Sequence, residues 1–373
     1  MDGARPPAQL GDRLTSILDL PERLAALEGQ AAERAARLLD VRIVEAATEP
    51  PETLVPWLAA TFGSVDAVRH QKIAKIGCIA TGDATLFALL RARRPVDGPS
   101  ASSDLRDEIA STVGDPFCHP ESGTPAEPLG RIRGSRMLTG ANAAAADGHH
   151  AVLVFGDHDP LSFDAELVAD LLATGRAWAD RAHASDATAS NYLLLWNCLW
   201  RAGGSIVHGH AQALLGSGPH YARVERFRRD AAAYRAAHGT DLASDLAELH
   251  ADLGLAVADG PVTTYASLTP SKERELVVIG RPDMDERDPA FAAAVASALL
   301  AYRDRLGVRS FNLALWRPPL DGSPGWDGIP PMVRIVDRGD LRIRPSDIGA
   351  MELFGTPIVG SDPYDVVAAL RGA

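Results

Sequence analysis

Three polar side chains recur at every second position near the end of the segment 203–212, which reads Gly-Gly-Ser-Ile-Val-His-Gly-His-Ala-Gln. If this segment forms a strand, His208, His210 and Gln212 point to one face, because successive side chains of a strand alternate between faces. The glycine pair that opens the segment lets a ligand approach the backbone closely. Two imidazoles and an amide on one wall are suited to a phosphate site that contains its own nucleophile.

The elements around this segment alternate between strand and helix. Apolar runs at 151–155 and 192–196 predict buried strands, and a helical pattern at 164–184 lies between them. The second half of the chain repeats the alternation, with a helical segment at 223–254, strands at 275–279, 311–316 and 332–336, and a helix at 289–305. The second half is compatible with a related α/β unit, and the sequence shows no clean repeat.

The chain has 373 residues, of which 46% are hydrophobic, and this length allows two or three domain-sized units. Helical spacing over residues 11–40 predicts an N-terminal helical extension, which we assign to 1–65. We place an N-terminal catalytic domain at 66–216 and a C-terminal domain at 217–373. A stretch rich in Pro and Gly at 95–130 is predicted to be loop.

The composition excludes several classes of partner. The net charge of −12 argues against a broad electrostatic surface for nucleic acid or an anionic membrane. Three scattered cysteines are too few for a disulfide framework, and there is neither a basic-then-apolar leader nor a long apolar run. We expect a cytoplasmic protein that binds neither nucleic acid nor membrane.

The run from Asn197 to Gln212 resembles the active-site segment of the galactose-1-phosphate uridylyltransferase branch of the histidine-triad superfamily. Asn197 precedes His208 by 11 positions (208 − 197), and Gly203 and Ser205 lie between them, as in that family before its His-x-His-x-Gln motif. The resemblance implies an α/β (α+β), HIT-like fold in which two related units carry antiparallel sheets flanked by helices. It also implies a homodimer and a substrate-binding role for Asn197 and Gly203.

Three further positions resemble substrate-binding residues of this family. The segment Arg-Ala-Arg-Arg-Pro at 91–95 is similar to a family segment whose two arginines contact the nucleotide, which implies this role for Arg91 and Arg94; a solvated helix end is the alternative. Asn142 resembles the nucleotide-binding asparagine, although alanines replace the aromatic residue and Pro that usually follow it. Glu352 resembles the carboxylate that binds the acceptor sugar, offset by one position; a helix-start or salt-bridging role is the alternative.

The resemblance implies that His210, the second histidine of the motif, forms a covalent nucleotidyl-enzyme. A neutral imidazole is a competent nucleophile near pH 7. We expect a nearby carbonyl to hold its other ring nitrogen and so fix the tautomer. Gln212 and Ser205 would donate hydrogen bonds to the phosphoryl oxygens, since positioning and electrostatics supply most of the catalysis of such transfers.

A structural zinc site is predicted from the same resemblance. The family uses a Cys-x-x-Cys pair, a histidine after an apolar strand, and the first histidine of the motif. Here the loop reads Asp115-Pro-Phe-Cys118, so that a carboxylate replaces one thiolate, and Asp115, Cys118, His158 and His208 are the candidate ligands. The second, iron-type site of the family needs histidines in the C-terminal half, and the chain has none after His250. We expect no iron-type site and no organic cofactor.

The leading hypothesis is a nucleotidyltransferase that acts between a nucleoside diphosphate sugar and a sugar 1-phosphate, similar to hexose-1-phosphate uridylyltransferases. A phosphorylase that cleaves a dinucleoside polyphosphate or a nucleotide sugar with inorganic phosphate is the alternative within the same chemistry. A non-catalytic nucleotide-binding sensor is the alternative from another class. We interpret His149 and His150, beside the predicted strand at 151–155, as structural.

Overall fold

The computed structural model describes residues 16–93, 104–258, 260–342, 351 and 355–372. The strands, in chain order, are β1 (Leu39–Ala47), β2 (His70–Cys78), β3 (Ala84–Phe87), β4 (Met137–Ala141), β5 (His149–Phe155), β6 (Ala189–Cys198), β7 (His210–Ser217), β8 (Ala256–Ala258), β9 (Thr263–Ala266), β10 (Leu276–Ile279), β11 (Phe311–Trp316), β12 (Met332–Asp337) and β13 (Ile358–Val359). The helices are α1 (Leu20–Ala25), α2 (Gly29–Leu38), α3 (Val55–Phe62), α4 (Val65–Arg69), α5 (Leu105–Ala110), α6 (Pro120–Gly123), α7 (Ala165–Ser185), α8 (Ala222–His238), α9 (Leu242–Asp252), α10 (Pro289–Asp304) and α11 (Pro363–Arg371).

A nine-stranded sheet with the order β4-β5-β7-β6-β11-β12-β10-β9-β8 forms the centre of the molecule. Its two halves share one plan, because β4-β5-α7-β6-β7 and β9-β10-α10-β11-β12 each run two strands, a long helix and two more strands, and the second half adds β8 at the edge of the sheet. The halves meet where β6 pairs antiparallel with β11. The predicted HIT-like arrangement of two related units with antiparallel sheets and flanking helices is confirmed.

The long helices α7 and α10 pack against each other and against the sheet. The Asp164 side chain caps α7 by accepting from the Leu167 backbone amide, and Asp288 caps α10 in the same way through Ala290. Large side chains such as Trp178 and Phe291 are fully buried on their inner faces. Each buried side chain of this size contributes roughly 1.5–3 kcal/mol through removal of apolar surface from water, so this packing holds the sheet firmly.

A second, four-stranded sheet has the order β1-β2-β3-β13. The region 1–65 is thus not helical throughout, since α1 and α2 are followed by β1, which pairs antiparallel with β2. Alternating exposed and half-buried residues in β1 give it the period of a strand. In the part of the chain that the structure describes, no helix combines the length and the apolar character that a membrane span requires.

Two sequence predictions differ from the structure in detail. The helical segment 223–254 is divided into α8 and α9 at Gly239, whose φ of 72° ends α8 with a left-handed cap. The described part of the 95–130 stretch contains the short helices α5 and α6 in addition to loop. The other predicted strands and helices correspond to β5, β6, α7, α10, β10, β11 and β12.

Candidate active site

The strand that carries the polar motif begins later than the sequence indicates. β7 starts at His210, so that His208 lies in the preceding loop and not on the same strand face. Gly203 ends a short helical turn with a φ of 90°, which favours glycine. A Cβ on Gly204 would lie 2.9 Å from the backbone oxygen of Asn197. The sequence predicts that a ligand approaches the backbone at this glycine pair. At Gly204 that space is filled by the backbone of residues 197–199.

His210 is held with one ring nitrogen available for chemistry. Its Nδ1 lies 2.8 Å from the backbone oxygen of His208. Because a carbonyl can only accept, Nδ1 carries the proton and Nε2 keeps its lone pair. The residue is 6% exposed, and burial lowers its pKa, which favours the neutral imidazole. The Phe117 ring packs edge-on against it at 5.0 Å.

Gln212 lies one step along the same face of β7. Pairing with β5 sets Val154 opposite His210 and Val152 opposite Gln212. The Gln212 Oε1 lies 2.9 Å from Nε2 of His150, and Asn142 Nδ2 lies 3.1 Å from the same nitrogen. The structure thus brings two predicted site residues, Gln212 and Asn142, together around His150.

His150 is a contact that the sequence interpretation missed. The sequence interpretation assigns it a structural role. In β5 its side chain lies on the same face as those of Val152 and Val154, which pair with Gln212 and His210 of β7. The alternation of side chains along the predicted strand was a signal that could have identified it.

Asn197 is positioned by the C-terminal half of the chain. It lies at the end of β6, opposite Asn312 of β11. Asn312 Nδ2 donates to Asn197 Oδ1 at 2.7 Å and to the Ala202 backbone oxygen at 2.8 Å. Nothing local in the sequence connects two residues so far apart, and the sequence interpretation did not identify Asn312. Ser205 is exposed in the loop that joins this corner to His210.

The four predicted metal ligands converge. Asp115, Cys118, His158 and His208 each present a ligand atom within 4.8 Å of the others. The two Nδ1 atoms are 3.0 Å apart, and the Cys118 Sγ lies 3.4 Å and 3.6 Å from them. A tetrahedral zinc ion has Zn–N distances of about 2.0 Å and Zn–S distances of about 2.3 Å, which correspond to an N···N separation of about 3.3 Å and an N···S separation of about 3.6 Å. The spacing fits such a site.

Backbone groups hold the outer ring nitrogens of both histidines and the thiol of the cluster, since the Gly114 amide donates to Cys118 Sγ at 3.2 Å. His158 Nε2 lies 3.1 Å from the Ile109 backbone oxygen, and His208 Nε2 lies 2.9 Å from that of Phe155. Both Nε2 atoms therefore carry protons, and the two Nδ1 lone pairs face each other. The Asp115 Oδ2 is buried and has no hydrogen-bond partner among the residues that the structure describes. A cation bound between these atoms would satisfy all of them.

The arginine segment belongs to a different part of the fold. Arg91 is exposed and lies in the 3₁₀ turn Leu89–Arg93, beside the four-stranded sheet. It lines a cavity there with Phe62, Ile73 and Ile358. Arg94 and Glu352 lie outside the described residues. The nucleotide contacts expected for these positions stay predictions.

The C-terminal half repeats the strand arrangement without the nucleophile. Its strand β12 corresponds to β7 in the order of the sheet, and β10 corresponds to β5. Where β5 faces His210 and Gln212, β10 faces Met332 and Arg334. The Arg334 guanidinium is paired with the buried carboxylate of Glu275. In the C-terminal half, the positions of His210 and Gln212 are thus held by an apolar side chain and an ion-paired arginine.

Comparison with known proteins identifies the fold. No protein-family model matches the sequence, and no curated protein sequence matches it. Among solved structures, an ADP-glucose phosphorylase from Arabidopsis thaliana with bound ADP-glucose is similar with a TM-score of 0.61 at 16% identity, over 79% of this chain and 96% of that one. A GalT-like protein from Arabidopsis thaliana has a TM-score of 0.58 at 15% identity, over 78% of this chain and 96% of that one. A uridylyltransferase has a TM-score of 0.54 at 17% identity, over 78% and 95%. This chain shares their fold.

Proposed function

We propose that the protein is a nucleotidyltransferase that carries a nucleoside monophosphate on His210 Nε2. The observation that carries the proposal is the hydrogen bond from Nδ1 to the His208 backbone oxygen, which leaves Nε2 unprotonated on a buried imidazole. The chain folds like an ADP-glucose phosphorylase and a uridylyltransferase, and this likeness supports the same reaction class. Fold alone does not establish function, so the argument depends on the geometry of the site.

The reaction proceeds in two displacements at phosphorus. In the first, His210 Nε2 attacks the α-phosphorus of the donor; a P–N bond forms and the bridging P–O bond breaks, so that a sugar 1-phosphate departs with the bonding electrons. Throughout, Nδ1 keeps its proton and donates it in the hydrogen bond to the His208 backbone oxygen. This hydrogen bond stabilises the positive charge that the ring acquires. In the second, a phosphate oxygen of the acceptor attacks the same phosphorus and the P–N bond breaks.

Gln212 and Ser205 are proposed to donate hydrogen bonds to the non-bridging oxygens during both steps. Asn142, Asn197 and the Gly203 loop are proposed to contact the bound nucleotide or sugar, together with Arg91, Arg94 and Glu352. Planar guanidinium groups suit the distal phosphate charge. These roles carry over from the sequence resemblance, and each is open to substitution.

The donor is proposed to be a nucleoside diphosphate sugar and the acceptor a sugar 1-phosphate. A phosphorylase with inorganic phosphate as acceptor is the second candidate, and the likeness to an ADP-glucose phosphorylase with bound ADP-glucose favours it. The two candidates share the first displacement and differ only in the molecule that collects the nucleotide.

We also propose that Asp115, Cys118, His158 and His208 hold a zinc ion. Four protein ligands leave no open position for substrate, so that zinc there would be structural. His208 would then be fixed by its ring while its backbone oxygen holds His210. Metal analysis of purified wild-type protein and of a His158→Ala variant tests this, and a metal-free native protein contradicts it.

Intact mass spectrometry tests the first displacement. The protein is incubated separately with UDP-glucose, ADP-glucose, GDP-mannose and diadenosine tetraphosphate. We expect a nucleoside-monophosphate adduct with at least one donor, absent in His210→Ala and retained in His149→Ala. His149 is a matched control because its ring lies 3.2 Å from Asp186 and makes no contact with His210 in the described structure. Nucleotide binding without an adduct or turnover would instead support the sensor hypothesis.

The isolated adduct then identifies the acceptor. Glucose 1-phosphate, galactose 1-phosphate and inorganic phosphate are added in parallel, and the released nucleotide is identified. Release by a sugar 1-phosphate supports the leading proposal. Release of a nucleoside diphosphate by inorganic phosphate alone supports the phosphorylase.

A further inference from the structure

We infer that His150 is a positioning residue for the proposed transfer, because it holds the carboxamide of Gln212 with the NH₂ group turned toward the phosphorus bound at His210. The inference rests on the proposed function and extends it to a residue on the neighbouring strand. His150 lies on β5, contacts Gln212 and acts through it.

The hydrogen bonds of His150 decide which of its nitrogens carries the proton. The backbone N–H of Ala146 donates to His150 Nδ1 at 3.0 Å. A backbone amide can only donate, so that Nδ1 is unprotonated and Nε2 carries the proton. Nε2–H can therefore only donate, and its partner at 2.9 Å is Gln212 Oε1. Asn142 Nδ2 lies 3.1 Å from the same nitrogen, but an amide NH₂ group has no lone pair with which to accept, so that Gln212 Oε1 is the acceptor for Nε2–H.

This arrangement fixes the orientation of the Gln212 amide. His150 lies opposite Leu214, on the side of Gln212 away from His210 along β7. With Oε1 engaged there, the NH₂ group is the other branch of the planar carboxamide, and we assign to it the phosphoryl group at His210. A reversed amide would set N–H against N–H at 2.9 Å. A glutamine without this partner would sample both orientations, and only one of them presents donors to a phosphoryl oxygen.

His150 is also built to stay neutral. It is 7% exposed, and burial lowers the pKa of its imidazole. The backbone oxygen of His150 accepts from the backbone N–H of Asn142 at 2.8 Å, and this bond closes the turn between β4 and β5. The ring thus adds no charge to the site and connects the turn that carries Asn142 to the strand that carries the nucleophile.

Single-turnover kinetics of adduct formation test the inference with three variants. His150→Leu removes the donor, whereas His150→Gln keeps an N–H at a similar reach. We expect His150→Leu to slow adduct formation by about 10–100-fold, the loss typical of partners that orient a functional group, with recovery of most of the rate in His150→Gln. In a Gln212→Ala background, His150→Leu should cost less than about 2-fold, because the group that it orients is gone.

The controls separate positioning from folding. His149→Leu changes the neighbouring histidine and should leave the rate within about 2-fold, as for a residue outside the network. Equal effects of His150→Leu in the wild-type and Gln212→Ala backgrounds would overturn the inference while the proposed function stands. A wild-type protein that forms no adduct with any donor overturns the proposed function and this inference with it.

A spectroscopic measurement reads the protonated nitrogen of His150 in the wild-type protein itself. In protein labelled with ¹⁵N-histidine, the ring nitrogen shifts report which nitrogen carries the proton, and the signals of His150 are identified by their loss in His150→Gln. We expect the Nε2–H form for His150 and the Nδ1–H form for His210. An Nδ1–H form of His150 would leave Gln212 without its donor and would overturn the inference.

Discussion

Gly209 lies between the two histidines of the motif, and adding one methyl group there should disturb both the nucleophile and the candidate metal cluster. An alanine Cβ at this position would lie 2.8 Å from the Phe155 ring, 3.2 Å from the Asp157 backbone oxygen and 3.3 Å from the Pro160 Cα. The shortest distance is to the Phe155 ring, which is buried and packed against Trp196, and the two backbone contacts require a shift of a few tenths of an ångström. The loop 155–160, which carries His158, would have to move.

The expected cost follows from this overlap. Inserting a methyl group into a packed site costs about 1–3 kcal/mol, and the loss of glycine freedom in the unfolded chain returns about 0.4–1 kcal/mol. We therefore expect the Gly209→Ala variant to lose about 1–2 kcal/mol of unfolding free energy. Urea denaturation followed by fluorescence measures the loss, and zinc analysis after dialysis should show reduced metal content.

Gly148→Ala is the matched control, because a Cβ there meets no atom within 4 Å and its φ is not positive. It should be neutral or slightly stabilising, within about 0.5–1 kcal/mol of wild type. If Gly209→Ala unfolds with the same free energy as Gly148→Ala and keeps its metal, the close packing of the 155–160 loop against Gly209 is refuted.

Three further predictions concern separate parts of the fold. Asp115→Asn keeps the oxygen that accepts from the backbone amides at the start of the helical turn but removes the unpartnered carboxylate oxygen; zinc affinity should fall by more than the about 10–100-fold typical of a lost supporting contact, while the unfolding free energy of metal-free protein stays within about 0.5 kcal/mol. Arg334→Met leaves the buried Glu275 carboxylate unpaired and should cost about 3–5 kcal/mol; in urea denaturation, the double variant with Glu275→Leu should be more stable than this single variant. The Arg228 guanidinium lowers the pKa of Glu225 to about 2. A surface ion pair of this kind stabilises the fold by about 1 kcal/mol at most. This stabilisation is complete above about pH 4.5 and disappears as the pH falls toward 2. The difference in urea midpoint between wild type and Glu225→Gln should shrink over that range, and a difference that does not change with pH would contradict this.

The sequence predicts much of the N-terminal half of the site because the signals there are local. The apolar run at 151–155 gives β5, and the spacing from Asn197 to Gln212 gives the order of polar residues around the turn. The beginning of β7 could not be found in this way, since the loop before it is fixed by contacts with distant backbone, such as the bond from the Gly209 amide to the His158 oxygen at 3.0 Å. Alternation of side chains says which residues share a face only once the first residue of the strand is known.

Contacts between distant segments explain the remaining differences. Asn312 reaches Asn197 only because β6 and β11 join the two halves of the sheet. β1 is a strand and not part of the predicted helical extension, because it pairs antiparallel with β2. The pairing runs from Leu39↔Cys78 to Ala47↔His70, between segments that are far apart in the sequence. Tertiary pairing of this kind overrides local propensity. The site is thus assembled from local motifs that are brought to their final geometry by strand pairing.

His208 connects the two functions assigned to this region. Its Nδ1 faces the metal cluster, its Nε2 lies 2.9 Å from the Phe155 backbone oxygen, and its own backbone oxygen holds His210. Under the proposed function, His208 thus joins the candidate metal cluster to the nucleophile, because its side chain belongs to the cluster and its backbone oxygen selects the tautomer of His210. Asp115 provides a second connection, since its carboxylate caps the turn that carries Phe117, the ring packed against His210.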